Sequence, residues 1–153
     1  MKKNYCFFAI LVLVLVVLPA FSNDEDEVKI TTFPSSAIIN ASYRGDIETM
    51  REILAIGVDK DVRDAMGATA LHEAILQPNV LAVELLLDFG FDPNAKTKNG
   101  YTPLHFAVAA NNIAAAKLLL QYGADKRIKN GEGFTALDKA RQSENGSFII
   151  LLR

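Results

Sequence analysis

Short apolar runs recur at a fixed interval along the chain, and each is followed by a glycine. The runs lie at residues 53–54, 85–87 and 118–120, and the evenly spaced glycines are Gly57, Gly90 and Gly123. Glycine adopts a left-handed backbone without a Cβ penalty, which suits C′, the position just beyond a helix end. The pattern therefore predicts one apolar helix per interval, each ended by its glycine.

A second pattern shares the same interval. The octapeptides GATALHEA, GYTPLHFA and GFTALDKA occupy residues 67–74, 100–107 and 133–140. Thr69, Thr102 and Thr135 can each cap a helix, because a threonine oxygen accepts a hydrogen bond from a backbone N–H at the helix start. Pro103 then falls at the first helical position, where its missing N–H costs nothing. The leucine and alanine of each octapeptide give this inner helix a small apolar face. The predicted unit is helix, turn, helix and hairpin loop.

The sequence T-P-L-H-F-A at residues 102–107 resembles the core of an ankyrin repeat at every fixed position. The resemblance covers residues 34–153, with Ala70 and Ala136 in place of the proline and Asp138 in place of the histidine. The first repeat matches only in its second half. The resemblance implies an all-α ankyrin-repeat solenoid of about four helix-turn-helix repeats with β-hairpin-like loops. The repeats would occupy residues 34–66, 67–99, 100–132 and 133–153.

The turn inside the second repeat departs from the pattern. Pro78 aligns there with the turn residues of the other repeats, which are Gly45, Asn111 and Glu144. Proline cannot adopt positive φ. If the turn needs a left-handed residue, we expect the second repeat to shape this corner differently.

The two ends of the repeat region are also irregular. The last helix, from near Ser147 to Arg153, has about two turns and needs packing on its neighbour to be stable. At the other end, Ser35 or Ser36 follows Pro34 and would cap the first helix.

The first 22 residues have the pattern of a secretory signal peptide. Lys2 and Lys3 precede an unbroken apolar run at residues 5–18, and Ala20 and Ser22 supply small residues at positions −3 and −1. The run of 14 residues is shorter than the roughly 20 that span a membrane, so we expect cleavage after Ser22. A retained membrane anchor is the alternative. Residues 23–33 would form an acidic, flexible tail.

Cleavage would leave a chain without cysteine, because Cys6 is the only one. It would also remove Lys2 and Lys3, leaving 14 basic and 18 acidic side chains. A cysteine-free chain suits an oxidising compartment because no thiol can mispair, whereas a secreted animal domain of this size more often carries disulfides. We therefore expect a periplasmic or secreted bacterial protein.

Three side chains at matching positions, His72, His105 and Asp138, form the most tempting catalytic or metal-binding set. Stacked helices lie about 8 to 10 Å apart, whereas zinc holds each ligand at about 2 Å and a proton relay needs about 3 Å. The family resemblance implies instead that the histidine ties its helix start to the next loop. The sequence contains no phosphate-binding loop, paired-histidine metal motif or nucleophile elbow. We expect no catalysis, cofactor, metal or small-molecule substrate, and the net acidic charge argues against nucleic acid.

A surface for a partner protein remains as the expected function. Ankyrin repeats characteristically bind proteins through their hairpin tips and the exposed face of their inner helices, which form an extended concave surface. Mapped onto this chain, the resemblance implies partner-binding positions at Met66, Ala68, Leu76, Gln77, Phe89, Lys98, Asn99, Tyr101, Phe106, Ala110, Tyr122, Glu132 and Phe134. The module would act as a scaffold, an inhibitor or an immunity-type neutraliser. The alternative is a membrane-anchored or host-delivered adaptor that keeps its N-terminal apolar segment.

Overall fold

A computed structural model describes Pro34 and residues 36–153, and this part of the chain contains eight α-helices. They are α1 (Ala37–Arg44), α2 (Ile47–Ile56), α3 (Ala70–Ile75), α4 (Leu81–Asp88), α5 (Pro103–Ala109), α6 (Ile113–Gln121), α7 (Ala136–Gln142) and α8 (Gly146–Leu152). None of these helices is long and apolar enough to cross a membrane. The signal peptide and acidic tail predicted for residues 1–33 lie outside the described residues, and so does Ser35.

The helices form two layers. Each inner helix (α1, α3, α5, α7) packs on the outer helix that follows it (α2, α4, α6, α8), and each helix also packs on the next member of its own layer. Stacking of helix pairs is the architecture of a repeat solenoid. The predicted all-α fold is therefore confirmed.

Threonines cap three of the inner helices, as predicted. Thr69, Thr102 and Thr135 are the N-caps of α3, α5 and α7, and each takes part in a capping box. In that box the side chain three residues on accepts from the threonine's own N–H, at 3.1, 3.2 and 3.0 Å respectively. At α7 the Thr135 hydroxyl also accepts from the N–H of Asp138 at 3.2 Å, so two donors at that helix start are satisfied reciprocally. Pro103 holds the first position of α5.

The core lies between the two layers and uses the leucine and alanine positions of the repeat. The large side chains buried there include Leu71, Leu86, Leu104, Leu119 and Phe148. Ala74, Ala107 and Ala140 are completely buried in the inner layer. Their small size lets neighbouring inner helices approach closely, so the octapeptide is largely a packing motif.

The last helix matches its prediction to within a residue. α8 begins at Gly146, and the side chain of Asn145 caps it by accepting from the N–H of Phe148. Phe148 and Leu152 are no more than 1% exposed. This burial stabilises a helix whose two turns would not persist in isolation.

Two predicted helix ends are confirmed and two differ. Gly90 and Gly123 follow the last turns of α4 and α6 with φ of 79° and 87°. Gly57 is instead the C-cap of α2 itself, with φ 95° and ψ 125°, because α2 runs on to Ile56. Ser36 stands at the N-cap of α1, but its backbone is helical and its side chain makes no capping bond. An N-cap oxygen reaches the helix N–H groups from a non-helical backbone, so the predicted cap at Ser36 is wrong.

The corner inside the second repeat differs from the others, as predicted. The matching turns have positive φ at Gly45, Asn111 and Glu144. Pro78 cannot adopt positive φ. In the register of the repeat, α4 starts one position later than α2 and α6. Its N-cap, Val80, provides no side-chain hydrogen bond.

The neighbouring repeat stabilises this irregular corner. Asn112, the N-cap of α6, donates from Nδ2 to the carbonyl oxygens of Ile75 at 3.0 Å and Gln77 at 3.1 Å. These carbonyls lie at and just beyond the end of α3, where a helix leaves acceptors without internal partners. One side chain of the third repeat thus satisfies two backbone acceptors of the second repeat.

Candidate functional site

Three hairpin loops connect the repeats, and each is closed by the same backbone hydrogen bond. The N–H groups of Asp64, Thr97 and Asn130 donate to the carbonyl oxygens of Ala68, Tyr101 and Phe134, each at 2.9 Å. Asp64 Oδ1 also accepts from the N–H groups of Met66 at 2.8 Å and Ala68 at 2.7 Å. Internal hydrogen bonds therefore define the shape of each tip.

Adjacent hairpins are also bonded to each other. The N–H of Lys98 donates to the carbonyl of Met66 at 3.0 Å, and the N–H of Gly131 donates to the carbonyl of Asn99 at 2.8 Å. A Cβ added at Gly100 would lie 2.8 Å from the nitrogen of Gly131. The tips therefore form a close-packed row along one edge of the solenoid.

The two histidines tie inner helices to the hairpins that follow them. His72 Nδ1 accepts from the N–H of Thr69, so its proton is on Nε2, which faces the carbonyl oxygen of Tyr101 at 3.3 Å. His105 Nε2 faces the carbonyl oxygen of Phe134 at 3.0 Å in the same way. Burial lowers the pKa of His72 to about 4, and burial is also the main cause that lowers the pKa of His105. Both rings are neutral and structural, which confirms the role implied by the resemblance.

Asp138 fills the third matching position without such a tie. Its Oδ2 accepts from the N–H of Thr135 at 3.0 Å and from the Thr135 hydroxyl at 2.7 Å, and its Oδ1 accepts from Arg141 at 3.5 Å, so its bonds remain within its own repeat. In the part of the chain that the structure describes, no group of three or more His, Cys, Asp or Glu side chains could hold a metal ion.

A largely apolar depression of about 420 Å³ lies between the second and third repeats. We call it the acidic groove, and its wall includes Asp64, Met66, Glu73, Leu76, Tyr101 and Phe106. Met66 is 67% exposed and Leu76 45% exposed, although both are large apolar side chains. Exposed apolar groups that share one concavity are typical of a binding surface.

A second depression, of about 430 Å³, lies between the third and fourth repeats. We call it the Lys139 groove, and its wall includes Tyr101, His105, Val108, Ala109, Lys139 and Gln142. The two grooves share Tyr101, His105 and Ala109. They are therefore neighbouring halves of one surface, separated by residues of the third repeat.

The family model for ankyrin repeats in three copies matches the chain over residues 12–97, 37–130 and 77–152. These stretches overlap and together cover most of its length. The chain belongs to the ankyrin-repeat family. No curated protein matches the sequence significantly. Ankyrin repeats generally form non-catalytic modules that bind protein partners.

The acidic groove gathers several of the positions that the ankyrin resemblance implied. Met66, Leu76, Asn99, Tyr101 and Phe106 line it together. Ala68 borders it too, but is only 2% exposed, and its N–H and carbonyl are both bonded to Asp64 at the hairpin base. The side chain of Ala68 therefore offers little surface to a partner, and its part in binding stays a prediction.

Three predicted tip residues form a network at the mouth of the Lys139 groove. The hydroxyl of Tyr101 donates to Glu132 Oε1 at 2.8 Å, and Lys139 Nζ donates to Glu132 Oε2 at 2.7 Å. The same ammonium lies 4.9 Å from the ring centroid of Phe134. Tyr101 and Phe134 are consequently half-buried and packed within the ankyrin domain, with part of each ring still accessible.

The remaining predicted positions lie outside both grooves. Phe89 and Tyr122 are exposed at the ends of α4 and α6, and the Tyr122 hydroxyl donates to Asp88. Gln77 and Ala110 line a third depression, of about 370 Å³, at the turns between inner and outer helices. Lys98 is exposed at a hairpin tip.

Sequence reasoning missed three groove residues of α7 and the turn after it. Lys139, Gln142 and Ser143 line the Lys139 groove. They stand one repeat interval after Phe106, Ala109 and Ala110, of which Phe106 and Ala109 line the acidic groove. Carrying the repeat register through the fourth ankyrin repeat would have found them.

Proposed function

We propose that this chain is a non-catalytic binding module, exported to the bacterial periplasm, that binds a partner protein through its hairpin tips and inner-helix face. The observation that carries the proposal is the pair of adjoining grooves, which expose Met66 and Leu76 beside the half-buried rings of Tyr101 and Phe106. Exposed apolar and aromatic groups with polar neighbours are the usual anchors of protein interfaces.

The rigidity of this surface supports the same function. Histidine ties and tip-to-tip backbone bonds hold the hairpins in place before any partner arrives. A preorganised surface loses little conformational entropy on association. Its fixed shape can therefore contribute to partner specificity.

The groups in the grooves that resemble catalytic side chains are already engaged. His105 is neutral and bonded on both ring nitrogens. The hydroxyl of Ser143 faces the backbone carbonyls of Lys139 at 3.1 Å and Ala140 at 3.2 Å. Nucleophilic catalysis needs a hydroxyl within reach of a base that can accept its proton. The arrangement therefore favours recognition over chemistry.

Export rests on the sequence of residues 1–22, which lie outside the described part of the chain. The charged start, the apolar run and Ala20 and Ser22 support a cleaved signal peptide. Intact-mass measurement of the protein recovered from the cell envelope tests this proposal. Loss of residues 1–22 supports export, whereas a full-length mass in the membrane fraction supports the anchored adaptor. The identity of the captured partner separates scaffold, inhibitor and neutraliser.

Affinity capture from envelope extract tests the binding surface itself. The bait is the whole chain tagged after Arg153, compared with a Met66→Glu, Leu76→Glu double variant. The matched control is Ile56→Glu, Leu81→Glu, since Ile56 is 64% exposed and Leu81 54% exposed, and neither lines a groove. We expect a partner held by the wild type and the control but lost by the groove variant. A partner held equally by all three folded proteins would contradict the proposal.

A further inference from the structure

We infer that the acidic groove selects a partner segment in which a lysine or arginine stands next to an apolar side chain, with the cation paired to Glu73. This inference rests on the proposed function, that the inner-helix face binds a partner, and it specifies the chemistry of that partner. It follows from the charges, the burial and the apolar surface of the groove.

Both charged side chains of the groove wall are acidic. They are Asp64 from the first hairpin and Glu73 from α3. The titratable rings in the wall do not offset them, because His105 is held neutral by burial and the Tyr101 hydroxyl is a donor to Glu132. The groove thus presents two carboxylates on an apolar background.

The two carboxylates differ in what they already bind. Asp64 Oδ1 accepts two backbone N–H groups of its own hairpin. The Glu73 carboxylate has no hydrogen bond or ion pair with any residue that the structure describes, although Glu73 is half-buried. Its burial and the nearby charge of Asp64 raise the pKa of Glu73. A partly desolvated charge without a counter-charge gains more from an incoming cation than an exposed one does.

At the position of the fourth repeat that matches Glu73, the charged side chain has an internal ion pair. Lys139 stands two repeats after Glu73 and is paired with Glu132 at 2.7 Å. Phe106 occupies the same place in the third repeat. Glu73 therefore stands out as the charge on this row of inner-helix positions that lacks an internal partner within the described residues.

The apolar wall adds the second requirement. Met66, Leu76 and Phe106 face the same space as Glu73. Lysine and arginine have apolar stems that cover such a surface while their charged heads stay near a carboxylate, and an adjacent apolar side chain would fill the remaining volume. Acidic segments, including residues 24–27 of this chain, carry the wrong sign for this groove.

Selection from a phage-displayed library of random peptides on the purified full chain tests the inference. We expect enriched peptides to contain lysine or arginine beside an apolar residue. Their affinity should fall roughly ten-fold with Glu73→Gln, which keeps the side-chain shape, and should weaken as salt is raised. Glu84→Gln is the matched control, because Glu84 is exposed on the outer helix α4 and should leave affinity unchanged. Glu73→Lys should shift the selection toward acidic peptides.

Each contrary result has a defined meaning. Peptides that need Met66 and Leu76 but bind Glu73→Gln as tightly as wild type would overturn the inference and leave the proposed function standing. A library that yields no peptide whose binding is lost in the Met66→Glu, Leu76→Glu variant would overturn the inference. The capture from envelope extract tests the proposed function separately. If the wild type dimerises in sedimentation and the Met66→Glu, Leu76→Glu variant does not, the occupant is a second copy and the inference is wrong.

Discussion

Asn112 donates from its side-chain amide to the carbonyl oxygen of Ile75, 37 positions earlier in the chain, at 3.0 Å. The same amide reaches Gln77, so one residue satisfies two acceptors beside the proline corner. Its Oδ1 meanwhile caps α6 by accepting from the N–H of Ala115. Both ends of one amide are therefore in use, one for its own helix and one for the preceding repeat.

Replacing Asn112 with Asp separates these two functions. Aspartate caps a helix as well as asparagine does, but it cannot donate to Ile75 or Gln77. We expect the free energy of unfolding in urea to fall by about 1 to 3 kcal/mol, the cost of leaving partly buried acceptors without a donor.

Asn145→Asp is the control for this substitution. Asn145 caps α8 in the same way, but its amide donates to the exposed side chain of Asn111, where water can substitute. Its effect should be clearly smaller. Equal losses for the two variants would mean that the bond to the proline corner contributes nothing specific.

The buried His72 predicts a loss of stability in mild acid. Its pKa is lowered from 6.5 to about 4 in the folded protein, mainly by burial, so between these values the unfolded chain binds more protons. The contribution of His72 to stability is therefore fully present above pH 6.5 and is lost as the pH drops toward about 4. The full effect is on the order of 3 kcal/mol. His105 contributes in the same direction.

Urea unfolding at several pH values between 7.5 and 4 measures this effect, with His72→Gln as the comparison. The pKa values of Asp46 and Asp138 are lowered by their hydrogen bonds to Thr49 and Thr135, so those groups lose their contribution only below this window. The variant should show a shallower dependence on pH. An unchanged slope would show that His72 is not the titrating group.

Leu119→Ala tests the core of the outer layer. Leu119 is completely buried in α6, so its truncation should lower the free energy of unfolding by about 2 to 5 kcal/mol. Leu81→Ala removes the same atoms from a side chain that is 54% exposed, and should cost about 0.5 kcal/mol or less. Similar values for the two would contradict the assignment of Leu119 to the core.

Tyr101 has both a structural and a recognition role, and two substitutions distinguish them. Tyr101→Phe loses an exposed bond to Glu132 but keeps the ring, so stability should stay within about 0.5 kcal/mol. Tyr101→Ala also removes the edge contact with His105, whose ring centroid lies 5.6 Å away, and should cost about 1 to 2 kcal/mol. Thermal melts of the two variants, followed by partner capture, check this. A melt of Tyr101→Ala identical to wild type would make the residue purely a recognition group.

The repeat interval was sufficient to predict the helix pairs and the threonine caps, because these depend on residue types at fixed positions. The histidine ties were implied by the resemblance to ankyrin repeats. The interval also located the irregular corner, since Pro78 cannot adopt positive φ. It could not predict the hydrogen bonds from Asn112, nor the contact between Tyr101 and Glu132, because such bonds join groups 31 to 37 positions apart whose directions only packing determines. The isolation of Glu73 is of the same kind, because periodicity does not show which charge lacks a partner.

The direction of the histidine ties makes the order of the repeats matter. Each tie runs from a repeat to the hairpin after it, from His72 to Tyr101 and from His105 to Phe134, whereas Asp138 makes its bonds inside its own repeat. A chain cut before Phe134 would leave His105 Nε2 without its acceptor. Loss of the fourth repeat should therefore loosen the third from its C-terminal side, so shortened forms of this solenoid are not simply smaller copies of it.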